Sequence, residues 1–364
     1  MKFIKKDIKY FSAIVILVLL AIASSCTSNG TYDSNDYILP EETNYFSHTA
    51  SYDSFTDYPV IIGENTAFPL NGILSMPNNT AQPVPAAVIV HGSGGHDMDG
   101  NMFGNAPYRD IAEFLAANGV AVIRHDKRTF VHGTALIAEF GGSFTVWEES
   151  IEDAILAANM LRTDPRVDEN RVFIIGHSLG GALSPRIHAT GGDFAGLILL
   201  AGTSRSVPEV VHDQGMAQLE QMPEGPDRTF GYVQLEELAE LFAAIPYMSD
   251  EEAKDVFVIG ASAYYLRDVE VHSFENYIGS VTVPILVMQG DRDFQIRADV
   301  DFMLLQNLLS GRDNVTFKLY EGLNHLFIPT TATNFVEHGS EIMRTPGIVD
   351  AQVLADIVAW ILAQ

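Results

Sequence analysis

The sequence predicts an α/β protein, a mainly parallel sheet with helices on both faces. Short unbroken apolar runs recur from about residue 57 to the C-terminus. Amphipathic stretches of helical spacing lie between them, the alternation expected of a parallel sheet. One apolar run, Val172 to Ile175, leads into Gly176-His177-Ser178-Leu179-Gly180 and then a helical stretch holding Ala182, Leu183 and Ile187.

In chain order, "YPVIIG" and "LNGILSMP" read as an opening antiparallel pair. "PAAVIVHG" reads as a buried strand ending at His91. "YRDIAEFLAANG" places Ile111, Phe114 and Leu115 on one helical side and ends at Gly119. "VAVIRHD" is the next strand, and "EESIEDAILAANMLR" a helix with Ile151, Ala154, Ile155 and Met160 inward. The strand before Ser178 and "FAGLILLAG" follow. "VPILVMQG", a helix around "DVDFMLLQNLL", the strand "VTFKLY" and the helix "AQVLADIVAWILAQ" complete the pattern. The last helix carries Val353, Leu354, Ile357, Val358 and Ile361 as one stripe.

The interval from about 203 to 280 breaks this rhythm. "LEELAELFAAIP" puts Leu235, Leu238, Phe242 and Ile245 on one face, and Ser249 with Glu252 forms a capping-box pattern. Ligands of open α/β sheets bind beyond the carboxyl ends of the strands. An insertion leaving that edge is expected to form a helical cap, with a peripheral decoration as the alternative. Met216, Met222 and Met248 suit either an adaptable pocket wall or packing within the cap.

The N-terminus has a different character. Four lysines (Lys2, Lys5, Lys6 and Lys9) precede an apolar run from Phe11 to Ala23, which fits a signal-peptide core in residues 1–25. Ala23-Ser24-Ser25-Cys26 resembles the lipid-attachment motif of bacterial lipoproteins, although leucine is favoured where Ala23 stands. Cys26 is the single cysteine, so no internal disulfide can form. Residues 26–50 then read as a lipidated cysteine and a polar tether, and 51–364 as the folded domain. Plain cleavage with an incidental Cys26, or an uncleaved anchor, are the alternatives. Formal net charge is −26, and removing residues 1–25, with their four lysines and Asp7, makes it −29. Such a chain repels nucleic acid and anionic polymers.

A serine hydroxyl becomes a nucleophile when a histidine takes its proton and a carboxylate orients that histidine. A strand, a tight turn and a helix around G-x-S-x-G are the setting of a nucleophile elbow, which makes Ser178 the candidate. On the α/β-hydrolase fold the acid and then the histidine follow the serine in sequence. Downstream, "VPILVMQG" runs into Asp291-Arg292-Asp293, and "VTFKLY" into a loop holding His325. Asp293 is the expected acid and Asp291 the fallback. The oxyanion needs backbone N–H donors. Leu179, first in the helix, supplies one; Ser93 in "HGSGGHD" is the choice for the other, with Gly92 and Gly94 as alternatives. His91, His96 and Asp97 hint at a metal, but no zinc-type helical spacing appears, and a structural role for His91 is preferred. His177 is read as packing, and Asp126-Lys127-Arg128 as an ion-paired loop. No cofactor or metal is expected. The histidine must start neutral, so activity is expected to fall in acid.

"HGSGG", "DKRT", "GHSLGG", "GDRD", "LNHLF" and "PGIVD" together resemble bacterial serine α/β-hydrolases of the dienelactone-hydrolase-like and acyl-esterase group, over roughly residues 57 to 364. The resemblance implies an eight-stranded core with a helical cap, the triad Ser178, Asp293 and His325, and carboxylic esters as substrates. Gly95 stands where relatives often have proline, and Met98 where arginine is common. A small-molecule ester, a membrane reached through a lipid anchor and no nucleic acid are the expected partners. Acyl transfer, peptide hydrolysis and a non-catalytic tethered binding role are the alternatives. Palmitate labelling in the host should mark the wild-type chain and not Cys26→Ala; equal labelling of both would rule out lipidation at Cys26.

Overall fold

The computed structural model describes residues 50–364. The expected signal segment, Cys26 and nearly all of the expected tether lie outside the described residues. Three antiparallel strands open the domain: β1 (Ala50–Ser51), β2 (Phe55–Ile62) and β3 (Leu70–Pro77). The parallel strands are β4 (Val84–Val90), β5 (Ala121–His125), β6 (Val167–His177) and β7 (Leu197–Leu200). After a two-residue hairpin of β8 (Phe257–Val258) and β9 (Ala261–Ser262) come parallel β10 (Ile285–Gly290) and β11 (Val315–Tyr320). The sheet order is β1-β2-β3-β5-β4-β6-β7-β10-β11. Two-residue β1 only extends one edge; the other eight strands are the expected sheet.

Parallel strands buried on both faces alternate between two cores. On one face Val88, Ile123, Ile174 and Val287 meet α3 (Glu152–Thr163) and α4 (Leu179–Ile187) through Ala154, Leu161 and Leu183. On the other, Ile89, Val122, Ile175 and Leu286 meet α1 (Pro107–Ala117) and the C-terminal α12 (Ala351–Ala363). Ile111 and Leu115 serve α1, and the expected stripe Val353, Leu354, Ile357, Val358 and Ile361 of α12 is wholly buried. Asp350 caps α12 by accepting from the Gln352 N–H at 2.8 Å.

One expectation is corrected. Arg128 is not part of a loop; it starts α2 (Arg128–Phe140). The apolar pattern of α2 gave no helical signal because Phe130, Val131 and Ile137 are exposed while Arg128 is buried by ion pairs.

Between β7 and β10 the insertion folds as α5 (Val207–Gln221), α6 (Pro226–Ala244), α7 (Asp250–Asp255), the hairpin, and α8 (Ala263–Val271). It has its own small core of Val211, Phe242, Ile245, Ala253, Val258 and Leu266. Ser206 with Glu209 and Ser249 with Glu252 form full capping boxes on α5 and α7. The short α9 (Phe274–Ile278) returns the chain to the sheet by burying Phe274 and Ile278 in the main core. Beyond β10 lies α10 (Met303–Leu308), and after β11 comes α11 (Phe335–Arg344), an amphipathic helix that was not among the expected elements. Asn334 caps it, accepting from the N–H groups of Val336 and Glu337.

Candidate active site

The site lies at the carboxyl edge of β4 and β6, where the strand order reverses direction and ligands of such sheets bind. Ser178 joins β6 to α4 with φ 53° and ψ −117°, a strained conformation for a residue with a side chain. Its N–H donates to the Leu200 carbonyl at 2.8 Å, and its carbonyl accepts from Ala182 at 3.0 Å. Gly176 and Gly180 make the turn possible. A Cβ on Gly176 would sit 2.3 Å from the Gly180 oxygen, and one on Gly180 would sit 2.3 Å from the Val90 oxygen.

Asp293 and His325 meet beside this turn. His325 Nδ1 donates to Asp293 Oδ2 at 2.7 Å. Gln289 Nε2 donates to the same oxygen at 2.8 Å, and the N–H groups of Gln295 and Ile296 donate to Oδ1 at 2.8 and 3.0 Å. Burial pushes the Asp293 carboxyl up, but His325, His338 and the Ile296 N–H outweigh it, and the group is held below its ordinary range. The fallback Asp291 is exposed and accepts from the Gly322 N–H at 2.7 Å. It ties the ends of β10 and β11 together.

Ser93 and Leu179 line the same cavity as Ser178 and His325. Leu179 is the first residue of α4, where an N–H has no intrahelical carbonyl. The Gly92 N–H is committed to the Tyr108 hydroxyl at 3.1 Å, which removes it from the three oxyanion candidates. Ser93 contributes to the cavity wall; Gly94 does not. His91 and His96 are spent inside this loop, donating to the carbonyls of Asp97 and Ser93 at 3.2 and 2.8 Å. The Asp97 carboxylate accepts from Asp99 and Asn101. Among the described residues no group of three or more such side chains could hold a metal.

His177 does more than pack. Tyr108 donates its hydroxyl to His177 Nδ1 at 3.0 Å, and His177 Nε2 donates to the His325 carbonyl at 2.9 Å. The tautomer follows from those partners. Burial, then the neighbouring His325, pulls the His177 pKa down to about 3, so this bridge stays neutral. It joins the loop after β4, the elbow and the loop of His325. Nothing in the sequence pairs Tyr108 with His177, which are 69 residues apart.

The cavity encloses about 500 Å³. α5 supplies Val207, Val210, Val211, Gln214 and Gln218; α11 supplies Phe335, Val336, His338 and Ile342. The insertion therefore covers the site. Met216, Met222 and Met248 do not line it, and Met248 packs in the cap core instead. Among the described residues of the wall there is no aspartate or glutamate. Arg205, the cation that contributes to the wall, is held by Asp301 through two 2.8 Å hydrogen bonds and by Asp213 at 2.7 Å.

A strained elbow serine, a histidine–carboxylate pair and a covered cavity on this sheet define a serine hydrolase of the α/β-hydrolase fold. The chain belongs to the family described as serine aminopeptidase, S33 (Hydrolase_4), whose model matches residues 81–329. Esterase EstD of Thermotoga maritima is 30% identical over 335 residues, covering 91% of this chain and 70% of that one. Est1E from Butyrivibrio proteoclasticus has the same fold, with TM-score 0.51 and 16% identity over 84% of this chain and 99% of that one. Dipeptidyl peptidase 4 of Porphyromonas gingivalis also shares it, with TM-score 0.51 and 14% identity over 86% of this chain and 36% of that one. The protein is an enzyme of the esterase type within this superfamily, acting on esters.

One buried carboxylate under the loop after β4 has a pH signature. Asp126 Oδ1 accepts from the Met98 N–H at 2.9 Å. Burial raises its pKa from 3.8 to about 6, with Asp97 and Asp99 adding and the Met98 N–H opposing. The folded protein therefore binds this proton more tightly than the unfolded chain does. Its contribution to stability is full below about pH 4 and is lost as pH rises to about 6. Asp126→Asn keeps the acceptor and removes the charge. Between about pH 4 and 7, urea unfolding should show the variant gaining about 2–3 kcal/mol on wild type. A difference that stays constant with pH contradicts the assignment.

Proposed function

We propose that the enzyme hydrolyses uncharged carboxylic esters through Ser178, His325 and Asp293. The observation that carries this reading is the His325–Asp293 hydrogen bond at 2.7 Å, with His325 in the cavity wall beside the strained Ser178. Ser178 Oγ attacks the ester carbonyl as His325 Nε2 takes its proton. Asp293 holds Nδ1–H and stabilises the imidazolium that forms. The N–H groups of Ser93 and Leu179 receive the oxyanion. Collapse returns the proton from His325 to the departing alcohol. Water, with His325 again as base, then releases the acid from Ser178.

The cavity wall favours an ester over an amino-terminal peptide. An exopeptidase must hold an α-ammonium group, which calls for a carboxylate in the pocket. None lines the cavity among the described residues, whose wall is mostly apolar with amide side chains. The lysine-rich start and the lone Cys26 support export and lipid attachment, and with them a reaction in the cell envelope.

A fluorophosphonate probe tests the mechanism without knowledge of the natural ester. Mass spectrometry should locate the adduct on Ser178, and His325→Ala should abolish it. Asp293→Asn should lower kcat by about 10³–10⁴-fold, whereas Asp291→Asn should stay within about threefold of wild type. A folded wild-type protein that takes no label at Ser178, or a reversal of the two aspartates, would sink the assignment.

A further inference from the structure

The proposed reaction leaves one buried ammonium unused. Lys127 follows β5, is 1% exposed, and reaches beneath the loop after β4. Its Nζ donates to the Gly92 carbonyl at 2.8 Å and lies 3.2 Å from Glu149 Oε1. The Gly92 carbonyl and the Ser93 N–H are the two ends of one peptide unit. That unit is planar and trans, so its C=O and N–H point in opposite directions. Drawing the oxygen down toward Lys127 turns the N–H up, on the side away from the ammonium. A charged donor on the carbonyl also polarises the amide and strengthens its N–H as a donor. The preceding peptide is fixed as well, because the Gly92 N–H is held by Tyr108.

The other end of this relay is in the cap. Glu149 is buried and neutralises Lys127; Thr129 Oγ1 supports its Oε1 at 3.4 Å. Its Oε2 accepts the hydroxyl of Tyr265, from α8 of the insertion. A residue present only to fill space there would need no charge. Burying an ammonium and a carboxylate is costly, and matched apolar side chains could fill the same volume.

We infer that Lys127 is a positioning residue for the oxyanion hole: it clamps and polarises the Gly92–Ser93 peptide, while Glu149 and Tyr265 tie that clamp to the cap. Oxyanion stabilisation is thereby coupled to cap placement. The inference rests on the proposed esterase mechanism with Ser93 as a donor.

Lys127→Met alone would leave Glu149 buried and unpaired, so the informative variant is Lys127→Met with Glu149→Gln. Its kcat and KM are measured with a p-nitrophenyl ester, its affinity for an alkyl trifluoromethyl ketone by inhibition, and its folding by thermal melting. The ketone forms a tetrahedral adduct with the serine and so reads the oxyanion site. The double variant should keep KM within about threefold, while kcat and ketone affinity fall together by about 10–100-fold. Tyr265→Phe should lose about two- to fivefold in kcat, and that loss should disappear on the double-variant background. A folded double variant with kcat within about twofold of wild type overturns the clamp. A Tyr265→Phe loss that persists on that background overturns the link to the cap. If the double variant does not fold, Tyr265→Phe decides alone: lower ketone affinity at unchanged KM supports the relay, and unchanged ketone affinity refutes it. Ser178→Ala separates the two levels, because wild-type turnover in that variant would remove the esterase mechanism itself.

Discussion

The site depends on one backbone constraint, the conformation of Ser178. Its φ of 53° costs of order 1–3 kcal/mol for a residue with a side chain and survives only where its surroundings determine it fully. Here they do so from three sides. The Ser178 N–H is bound by Leu200 on β7, and its carbonyl starts the α4 ladder at Ala182. Gly176 and Gly180 bring α4 so close to β4 and β6 that no Cβ fits between them. The turn brings Ser178 and Leu179, the first residue of α4, into the cavity wall. The proposed acid, base and oxyanion donors are then positions on strand ends of the same sheet edge, measured from that point.

A glycine-rich loop cannot hold its own shape, so the loop after β4 is held from below. Asp126 binds the Met98 N–H, Lys127 the Gly92 carbonyl, and Tyr108 the Gly92 N–H. Arg124 reaches Asp99 and Ser75 at 2.8 Å each. Arg124, Lys127 and Arg128 are among the largest fully buried side chains. Apolar residues of equal volume would give comparable stability at lower desolvation cost. They could not satisfy irregular backbone groups, each of which is expensive to bury alone. The charges under this loop therefore set geometry more than they add stability. They also explain why residues far from the reacting atoms occupy so much of the interior.

How much of this was legible in the sequence follows from the range of each interaction. The sheet, its major helices and the strand-end positions of the proposed triad were readable because each is a local pattern: a period, a cap, or a polar residue just past an apolar run. Ser178, Asp293 and His325 each follow a strand, and strand ends converge by topology alone. What stayed hidden depends on pairing across the chain. Lys127 and Glu149 are 22 positions apart and Tyr108 and His177 are 69, and neither pair has a spacing rule. α2 was missed because Phe130, Val131 and Ile137 face outward, and Leu136 is buried together with Arg128 and Thr129, so charge and polarity share its inner side. α11, which supplies a cavity wall, was missed although Phe335, Val336, Ile342 and Met343 recur at helical spacing behind the Asn334 cap, because it is short and contains Gly339.

Charge accounts for the traffic through the site. The chain carries a formal net charge of −26, yet its cavity wall has no carboxylate among the described residues. Arg205 offers no free charge there, since Asp301 and Asp213 bind it on three hydrogen bonds. A neutral ester meets neither attraction nor penalty on entering such a pocket. Hydrolysis changes that balance. The acid product of the proposed reaction ionises in a cavity whose wall, among the described residues, has no unpaired arginine or lysine to retain it, inside a protein whose net field repels anions. The pocket thus binds the two ends of the proposed reaction unequally. In the proposed mechanism, backbone N–H groups hold the oxyanion for the lifetime of the tetrahedral intermediate, and the carboxylate that follows finds no such partner.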